Sequence, residues 1–196
     1  MPALILASTS AFRRTLLERL GLPFTTAAPG TDETPIPDER PAVRALRLAE
    51  AKAASIAVPL ADTAPPIVIG SDQVAACDGE ILRKPGNAAR NLEQLTRCQG
   101  RTVDFFTAVA VVDAGSASTH VDHTRVVFGE LPRASLEYYI MQEEPFACAG
   151  GFKAEGLGIA LFERIESNDP TALIGLPLIW LAGALRSAGL DPLSAR

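Results

Sequence analysis

Within the apolar stretch Ile67 to Ala76, the chain places a hydroxyl, a carboxylate and an amide in succession, at Ser71, Asp72 and Gln73. A polar group buried in a strand without a partner costs about 1–3 kcal/mol. A carboxylate kept at such a place suits cation binding or the activation of a water molecule. The expectation is therefore that Asp72 and Gln73 lie in a strand without structural partners and serve a site. A structural Asp72 bonded to backbone is the alternative that these letters leave open.

A second cluster, Ser8-Thr9-Ser10-Ala11-Phe12-Arg13-Arg14, straddles the end of an apolar run and the start of a helical pattern. The first turn of a helix exposes unpaired N–H groups and the positive end of the dipole, which favours phosphate. Hydroxyls at 8 and 10 and the guanidinium at 13 would add donors to the same anion. An ordinary serine cap followed by surface arginines would leave the same pattern.

Of 18 basic residues only Lys52, Lys84 and Lys153 are lysine. A chain that uses arginine so freely keeps lysine where a compact ammonium matters, for example beside a phosphate; chance placement is the competing account. Lys84 follows the turn beyond Asp72, so both can reach one cleft. The run from Cys148 to Gly158 is rich in glycine, which permits close approach of backbone to a ligand. Glu155 within it could accept two N–H bonds from a base edge. Neither GxGxxG nor GxxxxGK[ST] occurs, which excludes a dinucleotide fingerprint and a P-loop. His120 and His123 form HxxH, but their odd separation in a strand sets them on opposite faces and argues against joint metal binding. Gly175-Leu176-Pro177-Leu178 reads only as a turn into the final helix, with Trp180 and Leu181 in the core.

The elements that must position these groups follow from periodicity and caps. Strands are expected at Ala3–Ala7, Ile67–Ala76, Val103–Val112, Val121–Phe128 and Ile159–Ile165, with Asp78-Gly79 as a hairpin turn. Helices are expected from Ser10 to Gly21, with Phe12, Leu16, Leu17 and Leu20 on its apolar side, and from Pro41 to about Ala57. Others run from Asn87 to about Gly100, from Pro132 to Gln142 and from Leu178 to Ala188. Loops are expected at 29–41, at Pro59–Pro66 and at Asp113–Ser118. The pattern is α/β with a substantial antiparallel part.

At 196 residues, 47% of them hydrophobic and 21% charged, the chain can build a core and is not a disordered polymer. A net charge of −5 argues against a broad nucleic-acid or membrane surface, so any polyanion must meet cations gathered locally. Three cysteines without a CxxC pair suit free thiols in a reducing cytoplasm. No secretory pattern opens the chain, and the apolar run Ile174–Leu185 is short of the ~20 residues a bilayer needs.

Taken in order, LILASTSAFRR, TDET, LAEAKA, IGSDQV, ILRKP and GLPL resemble the Maf family of nucleotide pyrophosphatases over nearly the whole chain. The stretch FKAEGLGIALFERIESNDPTALIGLPL is similar to the branch acting on 7-methyl-GTP. The dTTP- and UTP-favouring branch carries Arg, Thr and Gln where Phe12, Gln73 and Glu155 stand. The 7-methyl-GTP branch more often has Trp where Phe12 stands.

The resemblance implies a single domain over 1–196: an α/β fold with a twisted mixed sheet flanked by helices, a smaller second lobe and a nucleotide cleft between them. It implies cleavage of a nucleoside triphosphate into the monophosphate and pyrophosphate, with Asp72 as proton acceptor. By the same resemblance, Ser8, Ser10, Arg13, Lys52 and Lys84 grip the triphosphate, and Phe12, Gln73 and Glu155 select the base. Glu33 in the acidic loop joins Asp72 in holding a divalent cation, Mg²⁺ or Mn²⁺. The base carries a positive charge after N7-methylation, so an aromatic face at Phe12 gains about 0.5–2 kcal/mol. A carboxylate at Glu155 suits the same charge. The implied partner is a small-molecule nucleotide, with neither nucleic acid nor membrane, in a cytoplasmic protein whose family-level assembly is a homodimer. A pyrophosphatase of broader range for modified nucleotides and a non-catalytic nucleotide-binding regulator of septum formation are the competing readings.

Overall fold

A computed structural model describes residues 2–57, 65–113 and 116–194 of the chain. The first unit runs β1 (Leu4–Ala7), α1 (Ala11–Glu18) and β2 (Thr25–Ala27), followed by α2 (Pro41–Ile56). Then come β3 (Ile67–Cys77), β4 (Glu80–Leu82), α3 (Ala88–Cys98), β5 (Thr102–Asp113) and β6 (Ser116–Phe128). The chain continues with α4 (Arg133–Glu143), β7 (Phe162–Glu166) and α5 (Leu178–Ser187). One mixed sheet joins the strands in the order β2-β1-β3-β5-β6-β7. This is the α/β mixed sheet flanked by helices that the resemblance implies.

The local chemistry matches the elements. Ser10 caps α1, its hydroxyl accepting from Arg13 N at 3.4 Å, and Asn87 caps α3 in the same way through Arg90 N at 3.0 Å. Proline opens α2, where its missing N–H costs nothing. Asp78 and Gly79 both take positive φ, 51° and 79°, the backbone a two-residue hairpin needs between β3 and β4.

Two boundaries differ from expectation. Residues 116–118, expected in the connection after Asp113, are strand: Val111, Val112 and Asp113 pair with Ser118, Ala117 and Ser116. Backbone pairing with β5 overrides their small, polar side chains. Residues 157–161 form a 3-10 turn and β7 starts only at Phe162, because the run there packs against α4 instead of joining β6. The expected loop Pro59–Pro66 lies mostly outside the described residues.

β3 sets the plan of the molecule. Its first half pairs with parallel β1, ending at Ala7↔Gly70, and its second half with antiparallel β4, beginning at Ala75↔Leu82. Between Gly70 and Ala75 that flank has no strand neighbour, while β5 pairs continuously along the other flank. One face of the sheet is covered by α2, whose buried Ala45, Leu48, Ala49, Lys52 and Ala53 follow a helical stripe. Small residues let α2 come close: a methyl group on Gly70 would lie 2.2 Å from Ala49 O and 2.5 Å from Ala53 N.

The opposite face carries two apolar cores end to end. Ile67, Ile69, Val109 and Val111 pack with Leu16, Leu17, Leu181 and Leu185 at one end. Ala75, Cys77, Val103 and Phe105 pack with Leu95, Leu136, Tyr139 and Phe152 at the other. A polar row, Ser71 and Gln73 on β3 with Thr107 on β5, separates them. The two lobes of the expectation are thus two cores on one continuous sheet. Among the described residues no helix is long and apolar enough to cross a membrane.

Candidate active site

The gap in pairing along β3 opens into a cleft of about 1130 Å³ lined from both faces of the sheet. Asp72, Gln73, Ser8, Ser10, Phe12, Arg13, Glu33, Lys52, Lys84 and Glu155, the residues given site roles from sequence, all line it. Lys153, singled out with the other two lysines, does not and lies beside Glu143 on α4. Neighbouring strand residues point to opposite faces. Here the open flank lets Asp72, on the α2 side, and Gln73, on the other, meet the same space.

Asp72 is not without a partner, and the expectation that it would be is corrected. Lys52, itself buried, donates from Nζ to Asp72 Oδ1 at 2.6 Å and lies 2.7 Å from Glu33 Oε1. One ammonium thus gathers two carboxylates, one from β3 and one from the 29–40 loop. The hydrogen bond from Lys52 is the chief cause that holds the Glu33 carboxyl below its ordinary range, and Lys84 and Arg13 add to it. The loop is tied to α2 by arginines that sequence reasoning passed over. Arg44 donates to Glu33 O at 3.2 Å, and Arg47 makes a two-pronged contact with Glu39 at 2.6 and 2.8 Å.

Gln73 is also partnered. The two N–H groups of its Nε2 are shared among three acceptors, Thr107 Oγ1 at 2.9 Å, Ala172 O at 3.1 Å and Leu173 O at 3.0 Å. The cost of a lone buried amide does not arise, because the turn before α5 supplies the acceptors. The turn expected at Gly175–Leu178 begins just after these carbonyls, and neither was assigned a role from sequence.

At the α1 end, Ser8 Oγ accepts from Ser10 N at 3.2 Å, fixing the entry to the helix. Arg13 Nε donates to Gly175 O at 3.0 Å. Burial pushes the guanidinium below its usual value while Asp72 and Glu33 oppose that shift; an arginine so placed stays a cation. Phe12 is 38% exposed and lines the cleft instead of packing on the apolar side of α1, where it was expected. Lys84, just past β4, is exposed, and Glu155 lies exposed on the loop after the 3-10 turn at Ala149–Gly151.

The glycines of that loop serve packing, against the expectation that they admit a ligand. A methyl group on Gly150 would meet Phe105 at 2.8 Å, and one on Gly151 would meet Asn91 Nδ2 at 2.4 Å. The loop bearing Glu155 is fixed instead by α4: Tyr139 Oη accepts from Lys153 N at 3.0 Å and Glu143 Oε1 from Leu157 N at 2.8 Å. His120 stacks on Trp180 and His123 on Phe106, on opposite faces as their spacing requires. All three cysteines are free.

Glu33 and Asp72 present two carboxylates converging on one cation, the Lys52 ammonium. Among the described residues no group of three or more His, Cys, Asp and Glu side chains could hold an ion without help. One or two carboxylates completed by substrate phosphates are a usual way to bind a hard divalent ion. The donor set fits such an ion.

A cleft that gathers carboxylates, cations, an aromatic ring and an amide, set on this sheet, defines a nucleotide-handling α/β protein. The family described as Maf-like protein matches residues 3–188, and the chain belongs to that family. Among curated relatives, a protein of Burkholderia orbicola named 7-methyl-GTP pyrophosphatase is 50% identical over 95% of this chain and 90% of its own length. Proteins of the same name from Aromatoleum aromaticum and Bordetella pertussis are each 52% identical, over 95% and 98% of this chain and 96% of their own lengths.

Proposed function

We propose that this chain hydrolyses 7-methyl-GTP to 7-methyl-GMP and pyrophosphate. The observation that carries the reading is the Glu33–Lys52–Asp72 cluster on the floor of a cleft that also collects Arg13 and Lys84. The names of relatives at about half identity over nearly the whole chain supply the base.

Asp72 is the proton acceptor. Water gives its oxygen to phosphorus and its proton to the carboxylate, the α–β phosphoanhydride breaks, and pyrophosphate departs. Ser8, Ser10, Arg13, Lys52 and Lys84 bind the triphosphate, and their donors and cations meet the charge that develops on the leaving group. Glu33 and Asp72 would hold a divalent cation, Mg²⁺ or Mn²⁺, that neutralises phosphate charge. Phe12 stacks on the cationic base, while Gln73 and Glu155 offer acceptors to the N1–H and amino edge. From the family resemblance alone, the reading also includes a single domain over 1–196, a cytoplasmic location and a homodimer.

Pyrophosphate release measured side by side on 7-methyl-GTP, GTP, dTTP and UTP tests it. The highest kcat/KM on 7-methyl-GTP is expected. Equal values across the panel would replace it by a broad-range pyrophosphatase, and tight binding without turnover by a nucleotide-binding regulator.

A further inference from the structure

The turn at 172–175 is bound to the sheet through its carbonyl groups. Ala172 O accepts from Thr107 Oγ1 at 2.9 Å and from Gln73 Nε2, and Leu173 O accepts from Gln73 Nε2. Gly175 O accepts from Ser71 Oγ at 3.1 Å and from Arg13 Nε. Ser71 and Thr107 are completely buried, and neither hydroxyl reaches the cleft.

These bonds have a direction. Thr107 gives its proton to Ala172 O, so toward Gln73 its oxygen can only accept. The reversed amide of Gln73 would set its oxygen against two carbonyl oxygens. The NH₂ is therefore the anchored end, and Oε1 is the end left for the cleft. At the other end of the turn, capture of Arg13 Nε by Gly175 O fixes the plane of the guanidinium and leaves its two terminal nitrogens for an anion. Ser71 holds that carbonyl from below.

We propose that Thr107 and Ser71 are positioning residues that act through this one turn on two different residues of the cleft. Thr107 adds to the acceptors that hold Gln73 as an acceptor for the base and ties down Ala172 O, and Ser71 holds the carbonyl that fixes Arg13 for the phosphates. The assignment of the two roles rests on the function proposed above.

The experiment compares Thr107→Val, Thr107→Ser and Ser71→Ala with wild type. Both hydroxyl deletions leave the shared carbonyls a second donor, so all three variants are expected to fold, as a cooperative thermal transition will report. Two quantities are read: the ratio of kcat/KM for the best and poorest bases in a nucleotide panel, and the inhibition constant of pyrophosphate.

Thr107→Val is expected to lower the base ratio about fivefold to tenfold, the worth of one hydrogen bond, and to leave pyrophosphate inhibition unchanged. Thr107→Ser restores the ratio. Ser71→Ala is expected to weaken pyrophosphate inhibition by a similar factor at constant base ratio. Variants that shift both quantities together, or neither, overturn the proposal and leave the turn a scaffold only. Which base wild type prefers is read separately and judges the proposed substrate. If wild type does not turn over, the same two quantities are taken from dissociation constants.

Discussion

Lys52 Nζ lies 2.6 Å from Asp72 Oδ1, and the two side chains are only 8% and 13% exposed. A helix and a strand thus share one charge pair at the centre of the cleft, so neither partner can be altered without disturbing the other. Removing one member of a buried pair ordinarily costs about 3–5 kcal/mol. Here Glu33 remains to accompany the ammonium, which limits the damage.

Asp72→Asn keeps the shape and removes the base. We expect kcat to fall by about 10²–10⁴ with nucleotide affinity largely kept, the usual worth of a general base. Steady-state kinetics together with titration of the nucleotide check this. Wild-type turnover in the variant would remove Asp72 from the reaction.

Glu155→Gln exchanges one acceptor for a donor and removes a negative charge beside a cationic ring. A loss of about 1–3 kcal/mol, roughly 5- to 150-fold in kcat/KM, is expected for 7-methyl-GTP. UTP has no matching pair of donors and should change little. Comparison of both substrates on both proteins decides it; equal changes would make Glu155 a solvated loop residue.

Asp122→Asn should stabilise the protein at neutral pH. Asp122 is 4% exposed and is held by a single 3.3 Å hydrogen bond from Thr124. Burial raises its carboxyl above the ordinary aspartate value of 3.8, and the charge of Asp169 adds to this, while Thr124, His120 and His123 oppose it. The folded state therefore binds the proton more tightly than the unfolded one, and stability falls as pH rises from that ordinary value through the raised one. The asparagine variant escapes this and should be the more stable of the two at pH near 7. Melting temperatures measured across pH should converge in acid, and a gap that persists there would refute the account.

Gly70→Ala should be among the most damaging small substitutions. The added carbon would meet backbone of α2 at 2.2 and 2.5 Å, and backbone cannot swing aside as a side chain can. A loss of at least about 1–3 kcal/mol, the scale of overpacking, is expected in chemical denaturation. Activity should fall with it, since α2 carries Lys52.

Much of this site was legible because its chemistry is local. The polar break at 71–73 in an apolar strand and the serine caps each mark the cleft from one segment alone, and the scarcity of lysine adds Lys52 and Lys84 but misplaces Lys153. Partners from distant segments were not legible. Lys52 against Asp72 and the 172–175 carbonyls against Gln73 depend on which face of which strand meets which turn, and no spacing encodes that. Thr107 looks like an ordinary strand residue until the turn is in place, and nothing in the sequence gives Ser71 its carbonyl partner. The 116–118 strand was missed because register with β5, not residue preference, extends it. Glycines 150 and 151 were misjudged because the atoms they make room for are Phe105 and Asn91, from elsewhere in the chain.

Gly70 has a second meaning, for how the chain finds its pairing. Sliding β3 by one residue would turn Ile69 or Ser71 toward the backbone of α2, where only a hydrogen fits. The same slip would carry Asp72 away from Lys52 and Gln73 away from its carbonyls, because a shift of one exchanges the faces of a strand. A misaligned molecule would therefore be inactive as well as strained. Recovery of activity after refolding should track correct alignment of the central strand, making turnover a sensitive gauge of folding fidelity.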